Sequence, residues 1–320
     1  MNKHIYIYSP SSAVRDKFAF KRGVKRLTAL GYEVEVDEAA LRSHGRFAGN
    51  DETRLAAIHR ASASRADVAL ISRGGYGITR ILPGIDYKAV TNAVDRGTRF
   101  VGFSDFTAFQ MALLAQTGAI SWAGPALGED FGAKEGADDI MEACFDDLIT
   151  GQGEGSGWRL PKKTPNKKIT EVMDPSCAKA TNDIYSIHDS VLWGGNLAML
   201  TSLVGTPYFP VVKNGILFIE DVGEHPYRVE RMLAQLIQAG ALAHQKAIVF
   251  GHFSDYKLVP HDNGYKIGSV IDWLKSQVTA QVLTGLPFGH VATKVILPVG
   301  LRVTLDVEGR DAFLLWGHQH

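Results

Sequence analysis

The chain has 320 residues, 45% of them hydrophobic, which suits about two domains with cores of their own. Lys plus Arg and Asp plus Glu number 34 each, so no net charge draws nucleic acid or an anionic surface. The two cysteines, Cys144 and Cys177, form no CxxC pair, which argues against a disulfide framework or a zinc motif and for a reducing, cytoplasmic setting. Residues 1–8 read as a first strand rather than a signal peptide, and no apolar run approaches the ~20 residues of a membrane span. Neither a nucleic-acid nor a membrane partner is expected.

In chain order, short apolar segments at 5–8, 34–36, 68–71, 100–103 and 120–123 read as strands. Helical spacing separates them. Phe18, Phe20, Val24, Leu27 and Leu30 recur before Gly31, a helix over 51–62 starts at an Asn50 or Asp51 cap, and Phe106, Phe109, Leu113 and Leu114 form one face of a helix that ends at Gly118. This alternation predicts a parallel α/β sheet over residues 1–150, with ligands beyond the carboxyl ends of its strands. A helix over 137–148 is followed by a glycine-rich and then polar stretch, so 151–190 reads as a connection. Residues 191–320 read as a mixed, β-rich second domain. Its signals are strands near 191–196, 216–219 and 246–250, a helix begun by Pro226, and a hairpin about Glu308-Gly309.

Four groups of residues carry chemistry. In Gly102-Phe103-Ser104-Asp105 the serine sits between a strand and a helix, where a hydroxyl is exposed and the next N–H faces whatever it attacks. Phe106 replaces the second glycine of the G-x-S-x-G elbow, and the plainer reading is a helix N-cap. Arg73-Gly74-Gly75-Tyr76-Gly77 also follows a strand. It suits an oxyanion loop or a phosphate loop, although neither dinucleotide nor P-loop spacing is present, and a tight turn is the simplest account. A carboxylate at the end of the 216–219 strand would face a cleft, and spacing leaves Glu220, Asp221 and Glu224 open. Among eleven histidines, His290 stands out in a loop marked by Gly285, Pro287 and Gly289, with His225, His252 and His261 as competitors. No HExxH or paired-ligand spacing supports a metal, and no cofactor is expected.

Together these motifs resemble the LD-carboxypeptidase family of serine peptidases, which includes microcin-C-type self-immunity hydrolases. The match runs through Arg73-Gly74-Gly75-Tyr76-Gly77 with Arg80, Gly102-Phe103-Ser104-Asp105 with Thr107-Ala108, and Gly124-Pro125. It continues through Trp193-Gly194-Gly195-Asn196-Leu197, the segment from Phe218 to Glu224 with Tyr227-Arg228, and Gly289-His290 with Leu297-Pro298-Val299-Gly300. Ala123 stands where the family often has histidine, and 158–190 matches poorly.

The resemblance implies a flavodoxin-like first domain and a β-rich second domain, with the site between them in a cytoplasmic homodimer. It implies a triad of Ser104 as nucleophile, Glu220 as orienting acid and His290 as base. The oxyanion hole would be the N–H groups of Asp105 and Gly75, with Asp105 acting through its backbone and not its carboxylate. Tyr76, Arg80 and Arg228 become candidate substrate contacts, the arginines for a free carboxylate. The implied substrate is a small muropeptide, cleaved to release its terminal D-alanine in peptidoglycan recycling. Cleavage of a peptidyl- or aminoacyl-adenylate by the same triad is the alternative. A nucleotide-binding protein with Ser104 as a cap would be a different class altogether, indifferent to loss of that hydroxyl.

Overall fold

The computed structural model describes residues 3–162 and 184–317. Cys177, residues 163–183 of the polar stretch, and the terminal His318, Gln319 and His320 lie outside the described residues.

The first half forms β1 (His4–Tyr8), β2 (Glu33–Val36), β3 (Val68–Ile71), β4 (Arg99–Gly102) and β5 (Ser121–Ala123). They pair in parallel in the order β2-β1-β3-β4-β5, the flavodoxin-like winding. The inner strands alternate between two buried faces. Ile5, Ile7, Val68 and Leu70 join α1 (Lys17–Ala29) on one side, while Tyr6, Tyr8, Ala69 and Ile71 pack toward α2 (Asp51–Ala63), α3 (Tyr87–Asp95) and α4 (Thr107–Thr117) on the other. Covering on both faces is what makes such strands almost continuously apolar. Asn50 caps α2 by accepting from Thr53 N–H at 2.8 Å, and α5 (Asp139–Thr150) closes this half on the α1 side.

The second sheet contains β6 (Gly155–Arg159), β7 (Ile184–Asn196), β8 (Ile216–Val222), β9 (Ala247–Ser254) and β10 (Gln281–Thr284), together with β12 (Arg302–Glu308) and β13 (Asp311–Leu315). Its order is β10-β9-β8-β7-β12-β13-β6, parallel from β10 to β7 and antiparallel beyond. The helices α6 (Leu197–Ser202), α7 (Pro226–Gln238) and α8 (Ile267–Gln277) belong to this half. One strand crosses back, for β11 (Leu297–Val299) pairs antiparallel with β5 and ends the first sheet. The fold is therefore mixed α/β, with one mostly parallel and one mixed sheet.

Three expectations need correction. The stretch 151–190 is not only a connection, because β6 and the start of β7 lie within it. The signal was weak because β6 buries a single side chain, Trp158, whose indole donates to Thr284 C=O at 3.2 Å. Phe18 is 77% exposed rather than part of the α1 core face. Two residues from Phe20 is about 200° around a helix, nearly the opposite side. Finally, α4 does not bury one face only, since every residue from Thr107 to Leu113 is buried. It lies against α3 and β5 of the first half and against β7 and α6 of the second.

Candidate active site

The chain leaves β4 at Gly102 and makes a tight turn over Ser104–Phe106 before α4 begins. Ser104 takes φ +63°, a left-handed conformation that non-glycine residues rarely adopt. It makes no capping hydrogen bond to the turn or to α4, so the N-cap reading is not realised. Glycine is required beside it, because a Cβ on Gly74 would lie 2.8 Å from Ser104 Cβ and 3.0 Å from its Oγ. The strand end after β3 and the strand end after β4 thus meet at this hydroxyl.

Gly75 has φ +110°, and a Cβ there would overlap Ser12. The neighbouring Tyr76 N–H donates to Ser12 Oγ at 3.0 Å. The Asp105 carboxylate has a structural role of its own, beside the backbone N–H expected of it. It is buried, accepts from Ser11 Oγ, and accepts from Ile78 N–H at 3.0 Å, fastening the glycine loop to the turn that carries Ser104. Burial pushes its pKa up, and the bonds from Ser11, Ile78 and Gly77 oppose this.

From the second half, β8 delivers Glu220, fully buried at a register shift against β9 between Ile219 and Asp221. Such irregularities re-aim side chains. Glu220 Oε2 lies 2.8 Å from His290 Nδ1, and Oε1 accepts from Asn196 Nδ2 at 3.1 Å. The other two acids face elsewhere. Asp221 accepts from Ala198 N–H at 2.9 Å and from Val222 N–H at 2.8 Å, and burial with the adjacent Glu220 charge pushes it up to about 6. Glu224 lies 3.7 Å from Arg228. Asn196 also ties the halves together, its N–H donating to Thr107 Oγ1 at 3.0 Å.

His290 packs its ring 4.9 Å from that of Phe103, the residue before Ser104. Burial pulls its pKa down, but the Glu220 carboxylate, with the Glu129 charge adding to it and Lys294 opposing, makes the net shift upward. With Nδ1 engaged by Glu220, Nε2 remains for a second partner. Among the described residues no hydrogen bond yet joins it to Ser104, and such contacts often tighten only around substrate. Gly289 has φ +132°, which disfavours any side chain, and a Cβ there would lie a tight 3.1 Å from Glu220 Oε2. Of the competing histidines, His225 is paired with Asp262 at 3.1 Å.

The remaining candidates divide. Tyr76 is partly exposed beside Phe47, with Arg46 5.8 Å from its ring. Arg80 is 2.9 Å from Asp51, so both proposed arginines, Arg80 and Arg228, already have acidic partners. Trp193 is buried and donates to Gln245 Oε1 at 3.0 Å, which makes it a core residue and not a surface for stacking.

Sequence reasoning passed over the supports of the site. Asn196 and Thr107 lay within recognised motifs without a role. The Lys294–Asp130 ion pair gave no signal at all. It measures 2.6 Å, is buried on both sides, and places Lys294 Nζ 4.0 Å from the Phe103 ring centre.

Comparison with known proteins agrees with this architecture. Residues 5–124 match the LD-carboxypeptidase N-terminal domain and residues 189–305 match the LD-carboxypeptidase C-terminal domain. The crystal structure of muramoyltetrapeptide carboxypeptidase from Oxalobacter formigenes is 38% identical, with a TM-score of 0.84 over 98% of this chain and 99% of that one. A probable murein peptide carboxypeptidase of Bacillus subtilis is 27% identical, over 90% of this chain and 84% of its own length. The microcin C7 self-immunity protein of Escherichia coli is 25% identical, over 95% and 90% respectively. The chain belongs to the LD-carboxypeptidase family.

Proposed function

We propose that this protein is a serine carboxypeptidase that removes the terminal D-alanine from muropeptide tetrapeptides. The observation that carries the reading is the Glu220–His290 hydrogen bond, set against the residue that precedes a positive-φ Ser104. Serine is a weak nucleophile until a base takes its proton. Glu220 holds Nδ1 of His290, so Nε2 accepts the Ser104 proton as Oγ attacks the scissile carbonyl. The carbonyl oxygen becomes an oxyanion between the N–H groups of Asp105 and Gly75. A single such donor is worth about 3 kcal/mol. His290 then returns the proton to the departing D-alanine amine. Water, deprotonated by the same histidine, releases the acyl group from Ser104.

The 38% identity to a muramoyltetrapeptide carboxypeptidase supports a muropeptide substrate over an adenylate, since the immunity protein is only 25% identical. On this reading the enzyme is cytoplasmic and homodimeric and serves peptidoglycan recycling. Incubation with L-Ala-γ-D-Glu-diaminopimelate-D-Ala and with a peptidyl-adenylate, followed by mass spectrometry, tests it. Release of D-alanine is expected, and Ser104→Ala should reduce it by about 10⁴-fold or more. Turnover of the adenylate alone moves the assignment to an immunity-type hydrolase. No turnover of either sinks the hydrolase reading.

A further inference from the structure

A carboxypeptidase must recognise a free carboxylate next to the bond it cuts, and the two arginines first considered for that task are occupied by Asp51 and Glu224. A third is not. Arg73 opens the glycine loop and is half-buried, and its Nη1 donates to Ala13 C=O at 3.1 Å. Among the described residues it forms no ion pair. Its Nη2 lies 3.6 Å from where a Cβ of Gly75 would be, so the guanidinium flanks the peptide assigned to the oxyanion. On the other side of that peptide, Gly74 touches Ser104.

The surroundings leave this charge under-neutralised. Ala13, whose C=O holds Arg73, also donates its N–H to Arg46 C=O at 2.9 Å, so the Arg46 backbone is tied to the same segment. Burial lowers the pKa of Arg73; the Glu129 charge is the strongest of its charged neighbours and opposes this without forming an ion pair, while Arg15 and Arg46 push it further down. An arginine fork that keeps free donors in such a place is suited to a carboxylate, which it binds in two parallel hydrogen bonds.

We infer that Arg73 is the recognition group for the C-terminal carboxylate of the peptide substrate, placed by the glycine loop beside the oxyanion donors. The inference rests on the carboxypeptidase reading and deepens it. Loop and arginine form one device, in which the backbone N–H groups address the scissile carbonyl and the side chain addresses the carboxylate of the leaving residue. A peptide whose terminus is amidated loses the second contact and keeps the first.

Binding tests this apart from turnover. In the Ser104→Ala protein, calorimetry would compare the tetrapeptide ending in D-alanine with the same peptide ending in D-alanine amide. The acid should bind about 10–100-fold more tightly, as a charge-assisted pair implies. Adding Arg73→Met should bring the two peptides within about 3-fold of each other, and Arg73→Lys should keep part of the preference. Thermal unfolding of each variant guards against a folding defect, and the lysine variant carries the test if the methionine variant unfolds. Equal binding of acid and amide, binding of neither, or a preference that survives loss of Arg73 would overturn the inference. Failure of the carboxypeptidase reading shows separately, as wild-type protein that binds the acid through Arg73 and releases no D-alanine.

Discussion

The two sides of the site are held in place by different means. On the side of Ser104, the proposed nucleophile, the backbone does the positioning. Ser104 stands two residues past the carboxyl end of β4, its φ of +63° aims the side chain, and Gly74 lets the neighbouring loop close against it. On the side of Glu220 and His290, the proposed acid and base, side chains do the positioning. His290 sits on a loop, and what fixes it is Glu220 on Nδ1 and the Phe103 ring against its face. The halves are then locked to each other by Asn196 on Thr107, by Lys294 on Asp130 and by β11 on β5. The difference teaches where each side is vulnerable. Added bulk should break the first, and loss of a charge should break the second.

Among changes that leave the Ser104 hydroxyl in place, the largest effect is expected on the charged side. Glu220→Gln should lower kcat/KM by roughly 10⁴-fold, the loss seen when the orienting acid of a triad is neutralised. Asp221→Asn should cost less, because that carboxylate faces Ala198 and Val222 N–H instead of His290. The reverse ranking would show that the wrong acid has been assigned. The pH profile adds a sign. His290 must be neutral to accept a proton, so activity falls as pH drops through its raised pKa. Removing the Glu220 charge should move that acid limb to lower pH. For stability the direction is opposite. The pair's contribution is fully present below the unfolded histidine's pKa and is lost as pH rises through the folded one.

The backbone side should yield to a single methyl group. Gly74→Ala would place a Cβ 2.8 Å from Ser104 Cβ, so either the loop or the serine must shift. A displacement of about 1 Å at a nucleophile costs on the order of 10²-fold in rate. Kinetics on a variant shown to be folded by its thermal transition would read this. Unchanged kcat/KM would mean that the loop yields freely and does not shape the nucleophile.

How much of this was legible in the sequence follows the same division. The five parallel strands of the first sheet and the Ser104 turn were readable, because buried parallel strands are short apolar runs and the candidate residues stand at their ends. The hairpin at Glu308-Gly309 was readable from its turn. The choice among Glu220, Asp221 and Glu224 was not, since it depends on the irregular pairing of β8 with β9. The all-round burial of α4 was also hidden, because its amphipathic reading assumed one neighbour and it has two. Arg73 was visible as the first residue of a motif, but that it forms no ion pair among the described residues is a fact of three dimensions. Lys294 and Asp130 stand 164 residues apart, and nothing local marks either as buried.

That last pair carries the prediction smallest in its effect on chemistry. Lys294 Nζ touches the Phe103 ring on one side and Asp130 on the other, so it braces the loop of His290 against the nucleophile half. Lys294→Met removes the brace and leaves a buried carboxylate unpaired, which typically costs about 3–5 kcal/mol. Chemical denaturation should register that loss. The double change Lys294→Met with Asp130→Asn should recover most of the stability, because no lone charge is then left inside. If the pair only stabilises, the double variant should also recover its kcat. If the cation braces His290 through Phe103, kcat should stay several-fold low while stability returns. The two readouts should therefore separate in this one protein, as the contrast between a backbone-held serine and a side-chain-held histidine requires.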